Sequence, residues 1–193
     1  MSKFGDGIDW GHEARRAAAQ DPPGATAGEM LLAIRDALAQ VPRPRIVDAG
    51  CNIARFYPQF HAAGFEYVGV DQSAEALDIA RQRFPAVRFE FAFLWDDWPA
   101  RLGAGSFDAA LCNAVLQHNT HDEKRRIVPR IAEALRPGGV FGMQESTVHA
   151  ETRTQLRQGD WVRLVEGFGF RLEKKWHRND LGLEDAYLFR RVG

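Results

Sequence analysis

Residues 45–55 read RIVDAGCNIAR, and this stretch decides the fold that the sequence predicts. An apolar run ends in Asp48, a turn led by Gly50 follows, and the next residues have the character of a helix start. A strand, a turn and a helix in this order place backbone N–H groups at the carboxyl edge of a sheet, where nucleotide-like ligands bind. A second apolar run, residues 67–71 (YVGVD), ends in Asp71, whose carboxylate suits a ribose diol. The sequence therefore predicts a nucleotide-type site.

The composition is ordinary for a globular protein. The chain has 193 residues, 45% of them hydrophobic and 26% charged, with a formal net charge of −1, which predicts a single domain over residues 1–193. Lys and Arg form no long basic run, so we expect no nucleic-acid partner. No window approaches the ~18 consecutive apolar residues of a membrane span, and the first residues lack the apolar core of a signal peptide. Cys51 and Cys112 are expected to be buried, reduced thiols in a cytoplasmic protein.

Segments of strand and helix character alternate along the chain. The predicted strands cover residues 45–49, 67–71, 87–93, 107–113, 140–145, 170–177 and 186–191. The predicted helices cover residues 13–20, 26–40, 54–63, 121–135 and 161–167, with a further helix capped at its start by Ser73. Residues 94–99 and 136–139 are predicted to be a loop and a turn, and Pro129 is expected to kink its helix or delay its start. This order predicts an α/β, doubly wound, mostly parallel seven-stranded sheet with a C-terminal antiparallel hairpin and helices on both faces.

Five motifs, in the right order and spacing, resemble the class I (Rossmann-like) S-adenosylmethionine-dependent methyltransferases, and the resemblance covers about residues 28–193. The motifs are residues 47–55 (VDAGCNIAR), 70–71 (VD), 106–113 (SFDAALCN), 115–118 (VLQH) and 135–140 (LRPGGV). They are similar, in that order, to the family's glycine loop, ribose-binding acid, Phe-Asp strand, the segment after that strand, and the turn before the fifth strand. The resemblance implies S-adenosyl-L-methionine as cofactor.

Three positions depart from the family pattern. Asn52 and Ala54 stand where the family has its second and third loop glycines. Asn tolerates left-handed backbone angles, so Asn52 is expected to keep the turn, and its side chain can reach the cofactor's amino-acid end. Ala54 is expected to narrow the approach of the ligand. The family's frequent adenine-binding acid is replaced by residues 93–95 (FLW), so adenine is expected to be held by backbone groups and aromatic packing.

The cofactor contacts that the resemblance implies follow the motifs residue by residue. They fall on Asp48, Gly50, Cys51, Asn52, Arg55, Asp71, Gln72, Phe93, Leu94, Trp95, Asn113, Ala114 and His118. No metal site is expected, because two cysteines give too few ligands for one.

The acid–base residues are less clearly indicated than the cofactor contacts. Methyl transfer from a sulfonium is an in-line displacement at carbon, so the protein mainly aligns the reacting groups. A base is needed near the mouth of the site, and the candidates are His118, Glu145 and His149, with His121 and His177 as further possibilities. His118 alternatively closes the cofactor pocket by packing, and the others are alternatively loop or cap residues.

Three functions are compatible with these observations. The first is S-adenosylmethionine-dependent methyl transfer to a small molecule, enclosed by residues 1–25 and residues 146–160. The second is non-catalytic S-adenosylmethionine binding, and the third is a nicotinamide-dependent oxidoreductase, which the loop DAGCN fits poorly. Residues 1–25 are either a tail or a lid that packs Trp10 over the ligand. A monomer and a homodimer are both compatible with the sequence.

Overall fold

The structure, a computed structural model, describes residues 9–19, 26–146, 154, 156–178 and 184–193. Within these ranges the strands are β1 (Arg45–Ala49), β2 (Glu66–Asp71), β3 (Arg88–Phe91), β4 (Phe107–Asn113), β5 (Leu135–Ser146), β6 (Phe170–Arg178) and β7 (Glu184–Arg191). The helices of the same ranges are α1 (Trp10–Ala19), α2 (Thr26–Ala37), α3 (Tyr57–Ala62), α4 (Ala74–Arg83), α5 (Trp98–Leu102), α6 (His121–Ala134) and α7 (Gln158–Glu166), with a short 3₁₀ helix at Leu116–His118. No helix in the described ranges is long and apolar enough to cross a membrane.

The described strands form one seven-stranded sheet in the order β3-β2-β1-β4-β5-β7-β6. All pairings among strands β1 to β5 are parallel. Strand β7 runs antiparallel to both of its neighbours, β5 and β6. The predicted doubly wound sheet with a C-terminal antiparallel pair is therefore confirmed. The chain builds β2 and β3 on one side of β1 and then crosses to β4 on the other. The carboxyl ends of β1 and β4 consequently flank the crevice where such sheets bind ligands.

Buried side chains cover both faces of the sheet. On one face Trp98, Ile127 and Trp161 bring α5, α6 and α7 into a single cluster. On the other face Ile34 and Phe60 bring α2 and α3 into a second cluster. A sheet buried on both faces needs apolar residues at consecutive strand positions, as in β4, where residues 109–112 are all buried.

Helix α1 lies against α4. A Cβ atom on Gly11 would come within 2.1 Å of Glu75 Oε2, so glycine permits this close approach. Arg15 forms an ion pair with Glu75, and Ala14 is fully buried in a small cluster with Ile53 of the glycine loop. Residues 10–19 are therefore fixed beside that loop. Residues 1–8 and 20–25 and the Trp10 side chain lie outside the described residues, so the predicted lid or tail stays a prediction.

Several element boundaries differ from the sequence prediction. Helix α3 begins at Tyr57 instead of residue 54, because Asn52 and Ala54 adopt left-handed angles (φ 50° and 56°) that a right-handed helix excludes. The predicted loop 94–99 contains the start of α5, and the predicted turn 136–139 belongs to β5. Helix α6 is continuous from residue 121 through Pro129, so the late start expected there is wrong.

Strand β6 is the outer strand at one edge of the described sheet. Its pairing with β7 shifts register between Leu172 and Lys174, which marks a bulge. Arg171, Glu173 and Lys174 are exposed along it. The strand therefore combines exposed charges with a local irregularity.

Candidate functional site

The glycine loop leaves β1 and is tied at once to β2. The backbone N–H groups of Gly50 and Cys51 both donate to the carbonyl of Val70, at 2.8 and 3.1 Å. Gly50 has a φ of +89°, where a Cβ atom would also lie 2.4 Å from Val115 Cγ2. Both the backbone angle and the contact require glycine at this position. The loop that follows β1 thereby packs against the turn that follows β4, across the crevice between β1 and β4.

Asp71, predicted to bind a ribose, is held by backbone amides. Its Oδ2 accepts from the Asn52 N–H and its Oδ1 from the Ser73 N–H, both at 2.8 Å. Burial raises the pKa of the Asp71 carboxyl, and backbone hydrogen bonds from Ser73, Asn52 and Gln72 oppose that shift. A carboxylate offers about four lone-pair sites, so the three backbone bonds leave capacity for a further donor. The carboxylate is therefore oriented at the end of β2, beside the loop, as a diol acceptor requires.

The Asn52 side chain forms a hydrogen bond within the glycine loop. Its side-chain Oδ1 accepts from the N–H of Ile53 at 2.8 Å, while its own N–H is bonded to Asp71. The expectation that Asn52 keeps the turn is confirmed by its left-handed φ of 50°. Ala54 is fully buried in the cluster beneath α2 and α3, so its methyl group is directed into the core. The expected narrowing of the ligand approach by Ala54 stays a prediction.

Asp48, at the end of β1, is 1% exposed and lies beneath the loop. Its Oδ2 accepts from the Tyr67 hydroxyl at 2.5 Å. Burial raises the pKa of Asp48 to about 7; the Tyr67 hydrogen bond opposes the shift and the charge of Asp71 adds to it. Its predicted contact with the cofactor is untested. Cys51 is likewise buried, and burial raises the pKa of its thiol. Arg55 is half-buried in the same turn.

Aromatic side chains follow β3 at the position expected for adenine. The rings of Phe93 and Trp95 stack at 5.1 Å with an interplanar angle of 12°, and the Arg126 guanidinium lies 5.5 Å from the Trp95 ring centroid. Leu94 is buried, and its carbonyl accepts from the Trp98 indole at 3.0 Å. These residues form an aromatic pair held in place by the start of α5, and their packing on adenine stays a prediction.

The turn after β4 carries the next set of predicted residues. Asn113 is half-buried at the strand end, and Ala114 adopts a left-handed φ of 55° while its N–H donates to Gln144 of β5 at 2.7 Å. Gln117 Nε2 lies 3.2 Å from His118 Nε2. The turn therefore brings Asn113, Ala114 and His118 to the carboxyl edge of the sheet beside the glycine loop.

Glu145, a catalytic candidate at the end of β5, is fully buried. Its carboxylate accepts the backbone N–H groups of Val115, Leu116 and Gln117 at 3.3, 3.0 and 2.9 Å. Burial raises the pKa of Glu145 to about 7, against the opposing effect of these hydrogen bonds. The carboxylate is therefore engaged with backbone amides, and its predicted contact with substrate stays untested.

The remaining histidine candidates are spread around the molecule. His149 lies outside the described residues, so its role stays a prediction. His121 begins α6, and His177 on β6 pairs through Nδ1 with the buried Asp185. Of the three residues proposed for acid–base work, the structure places His118 on the turn after β4 and Glu145 at the end of β5, bonded to the backbone of that turn.

Two polar residues of this region are absent from the predicted site, Gln117 and Lys124. Gln117 Oε1 accepts from the Ser146 N–H at 2.6 Å, which joins the turn to the end of β5. Lys124 is fully buried within α6. A sequence signal existed for the lysine, because it lies three and four residues before the buried Ile127 and Val128 and so shares their face of the helix.

Comparison with known proteins gives concordant results. Residues 47–141 match a family model described as a methyltransferase domain. Trans-aconitate 2-methyltransferases from Azoarcus sp. (strain BH72) and Variovorax paradoxus (strain S110) are each 32% identical, over 154 and 146 residues, or 73% and 68% of this chain. These matches cover 56% and 52% of the relatives, so the chain spans about half the length of the curated relatives it matches.

Solved structures with the same fold include two methyltransferases. A TehB-like SAM-dependent methyltransferase from Corynebacterium glutamicum superposes with a TM-score of 0.72 at 20% identity, covering 95% of this chain and 96% of that one. The 1,6-didemethyltoxoflavin-N1-methyltransferase of Burkholderia thailandensis, solved with 1,6-didemethyltoxoflavin and S-adenosylhomocysteine, has a TM-score of 0.71 at 21% identity, covering 94% and 84%. At these identities the likeness establishes the fold.

Proposed function

Because the chain belongs to the class I S-adenosylmethionine-dependent methyltransferases, we propose that it binds S-adenosylmethionine beside the glycine loop and transfers the methyl group to a small molecule. The observation that carries this proposal is the Asp71 carboxylate, oriented by the N–H groups of Asn52 and Ser73 at the end of β2. Its two oxygens are spaced to accept the two hydroxyls of a ribose. Gly50 supports the proposal indirectly, because its left-handed φ and its close contact with Val115 hold the loop against the turn after β4.

The donor set fits the proposed cofactor. The carboxyl ends of three strands carry the donors: a carboxylate for the ribose at β2, the aromatic rings of Phe93 and Trp95 for the adenine after β3, and a half-buried Asn113 for the amino-acid end at β4. When bound, S-adenosylmethionine supplies a methyl group activated by the sulfonium. The protein's contribution is to orient the donor and the acceptor in line and to exclude water. Asp71, Phe93 and Asn113 hold the donor, and the turn with Gln117 and His118 faces the acceptor.

We propose a small carboxylic acid as the first acceptor class to test. The support is that the relatives at 32% identity are named for trans-aconitate. A carboxylate oxygen is ionised at neutral pH, since the unperturbed pKa of a carboxyl group is about 4, so it attacks the methyl group without a general base. This chemistry agrees with a Glu145 carboxylate that is engaged with backbone amides. His118 and His149 then orient the acceptor or complete its binding.

We also propose that the protein works in the cytoplasm as a monomer or a homodimer. The two cysteines are buried and free, as is usual in reducing compartments. A gel-filtration measurement at micromolar concentration separates the two assemblies.

The experiment that tests the cofactor site is calorimetric titration of S-adenosylhomocysteine into the protein and into D71N. D71N keeps one acceptor oxygen and loses the other, and one charge-assisted hydrogen bond is worth ~1.5–3 kcal/mol, so the dissociation constant is predicted to rise by between about tenfold and a hundredfold. Asp78 is an exposed acid on α4 and gives a matched control as D78N, for which unchanged affinity is expected. Equal affinities of D71N and D78N contradict the ribose assignment, and binding of NADH in place of S-adenosylhomocysteine favours the oxidoreductase. Cofactor binding without turnover across a panel of acids favours a non-catalytic binder.

A further inference from the structure

One buried side chain, that of Glu145, accepts three backbone hydrogen bonds from the turn after β4, which faces the acceptor. Three consecutive backbone N–H groups, those of Val115, Leu116 and Gln117, converge on the two carboxylate oxygens of Glu145. The acid follows them in the chain by about thirty residues and arrives on β5, the neighbour of β4. The backbone conformation of the turn is therefore fixed by a side chain from another strand.

Burying a carboxylate in a protein core has a large desolvation cost. Transfer of an ionised group out of water costs several kcal/mol unless it is paired and hydrogen-bonded. Glu145 lies directly opposite Asp185 in the antiparallel pairing of β5 and β7, so their side chains share one face of the sheet. Both acids are fully buried, yet only Glu145 has described bonds to the turn. An apolar residue would fill the Glu145 position but would leave three amides without an acceptor.

A buried lysine, Lys124, interacts electrostatically with this carboxylate. The Lys124 amine is fully buried, donates to the carbonyls of Asn119 and Thr154, and lies 5.4 Å from the Trp161 ring centroid. The charge of Lys124 opposes the rise in the pKa of Glu145 that burial causes, and burial lowers the pKa of Lys124 to about 8. Lys124 thus connects the end of the turn, at Asn119, with Thr154 of the segment that leads to α7.

Two neutral hydrogen bonds connect the same parts. The Ser146 N–H donates to Gln117 Oε1 at 2.6 Å, and the Ser146 carbonyl accepts from the Trp161 indole at 3.2 Å. The turn, the end of β5 and α7 are therefore connected through buried polar groups on the acceptor side. Bonds of this network to the Asp71 carboxylate are absent from the described contacts.

We propose that Glu145 and Lys124 are positioning residues that build the acceptor side of the site: Glu145 fixes the turn carrying Gln117 and His118, and Lys124 fastens that turn to the segment leading to α7. The proposal rests on the proposed function for its kinetic consequence, whereas its structural consequence stands alone. Removing either residue loosens the acceptor side more than the cofactor side, where the Asp71 carboxylate keeps its own backbone bonds.

The test compares E145Q, E145A and K124M with the matched control D185N, which changes an equally buried acid on the same face. Three measurements are made: hydrogen–deuterium exchange of peptides covering residues 113–120 and 154–166, the dissociation constant for S-adenosylhomocysteine, and steady-state methyl transfer with trans-aconitate as the probe acceptor. E145Q keeps one oxygen as an acceptor, so it serves where E145A does not fold.

We expect faster exchange at residues 115–117 in E145Q and E145A, and at the peptide containing Thr154 in K124M. The KM for the acceptor is expected to rise about tenfold in these variants, and by a larger factor than the dissociation constant for S-adenosylhomocysteine, which is affected only through Asn113, Ala114 and His118 of the same turn. D185N is expected to resemble the wild type in both exchange regions and in KM. A general loss of packing would instead weaken cofactor and acceptor binding together.

Two outcomes overturn the proposal. One is unchanged exchange at residues 115–117 in the Glu145 variants, and the other is a change in E145Q that D185N reproduces. If the wild type fails to bind S-adenosylhomocysteine, the proposed function is wrong, while the exchange measurement still decides the positioning roles. If trans-aconitate is not turned over, the exchange and cofactor measurements decide the roles by the same criteria.

Discussion

The contact between Gly50 and Val115 gives a sharp prediction for G50A. The φ of +89° forces an alanine there into a left-handed conformation, which costs ~1–2 kcal/mol. The new Cβ would also lie 2.4 and 2.8 Å from the two Val115 methyl carbons, an overpacking that costs ~1–3 kcal/mol. Alanine stiffens the unfolded chain and returns ~0.4–1 kcal/mol. The net loss of unfolding free energy is therefore about 1–5 kcal/mol, a large part of the ~5–15 kcal/mol typical of a domain.

The control for G50A is G105A. Gly105 also has a positive φ, +68°, but a Cβ there would meet nothing within 4 Å. Only the backbone cost applies, so the expected loss of unfolding free energy is about 1 kcal/mol. The assay is equilibrium urea unfolding of both variants, with calorimetric titration of S-adenosylhomocysteine into each. G50A is expected to weaken binding, because the loop moves to relieve the clash, and G105A to leave binding unchanged.

The pair G50A and V115A separates steric conflict from backbone strain. V115A removes both methyl carbons that the new Cβ would meet and leaves Val115 Cβ at 3.2 Å, a tight but tolerable contact. The double variant is expected to recover about 1–3 kcal/mol relative to the sum of the single losses. Additive losses, or equal losses in G50A and G105A, refute the reasoning that the loop and the turn after β4 are in steric contact.

Two further predictions concern stability. Burial raises the pKa of Asp48 to about 7, so the folded protein keeps a proton that the unfolded chain releases near pH 4, and unfolding free energy falls as pH rises between those values, by at most ~1.4 kcal/mol per unit. D48N is expected to reduce the slope of unfolding free energy against pH, and the slope that remains is the contribution of Glu145, which has the same sign. Urea unfolding from pH 4 to 8 measures the slope. An unchanged slope in D48N contradicts the assignment. Thr120 caps α6 in a reciprocal pair with Glu123, so T120A is expected to lower the unfolding free energy by ~1 kcal/mol and T120S by much less. Thermal unfolding of the two variants tests the cap, and equal losses count against it.

The order of strands and the location of the site could be predicted because they depend on local patterns. Alternating strand and helix segments permit few topologies, and each parallel crossover has one favoured hand. The left-handed turn at Asn52 was predictable for the same reason, since Asn tolerates that conformation. Helix α5 also had a local signal, a proline in its first turn at Pro99, which is a common way for a helix to begin.

The positions that could not be predicted depend on contacts distant in the chain. Alanine favours helices, so nothing local indicates that Ala54 adopts φ 56° and delays α3. That conformation is imposed by burial of Ala54 in the core beneath α2 and α3. Glu145 likewise ends a strand like many acids, and its partners, the amides of residues 115–117, are brought to it only by the pairing of β4 with β5.

The outer strand β6 has a consequence for how the protein behaves when many copies are concentrated. A nine-residue strand whose outer edge pairs with no other strand of the described ranges is a template onto which a strand of another molecule can add. The charges of Arg171, Glu173 and Lys174 and the bulge beside Leu172 oppose such addition, since a regular ladder cannot form across them. Replacing those charges with β-branched apolar residues would raise the local strand propensity and convert the edge into an aggregation site. The solubility of the protein at high concentration thus depends on side chains at the edge of the sheet, four strands away from β1, which leads into the glycine loop.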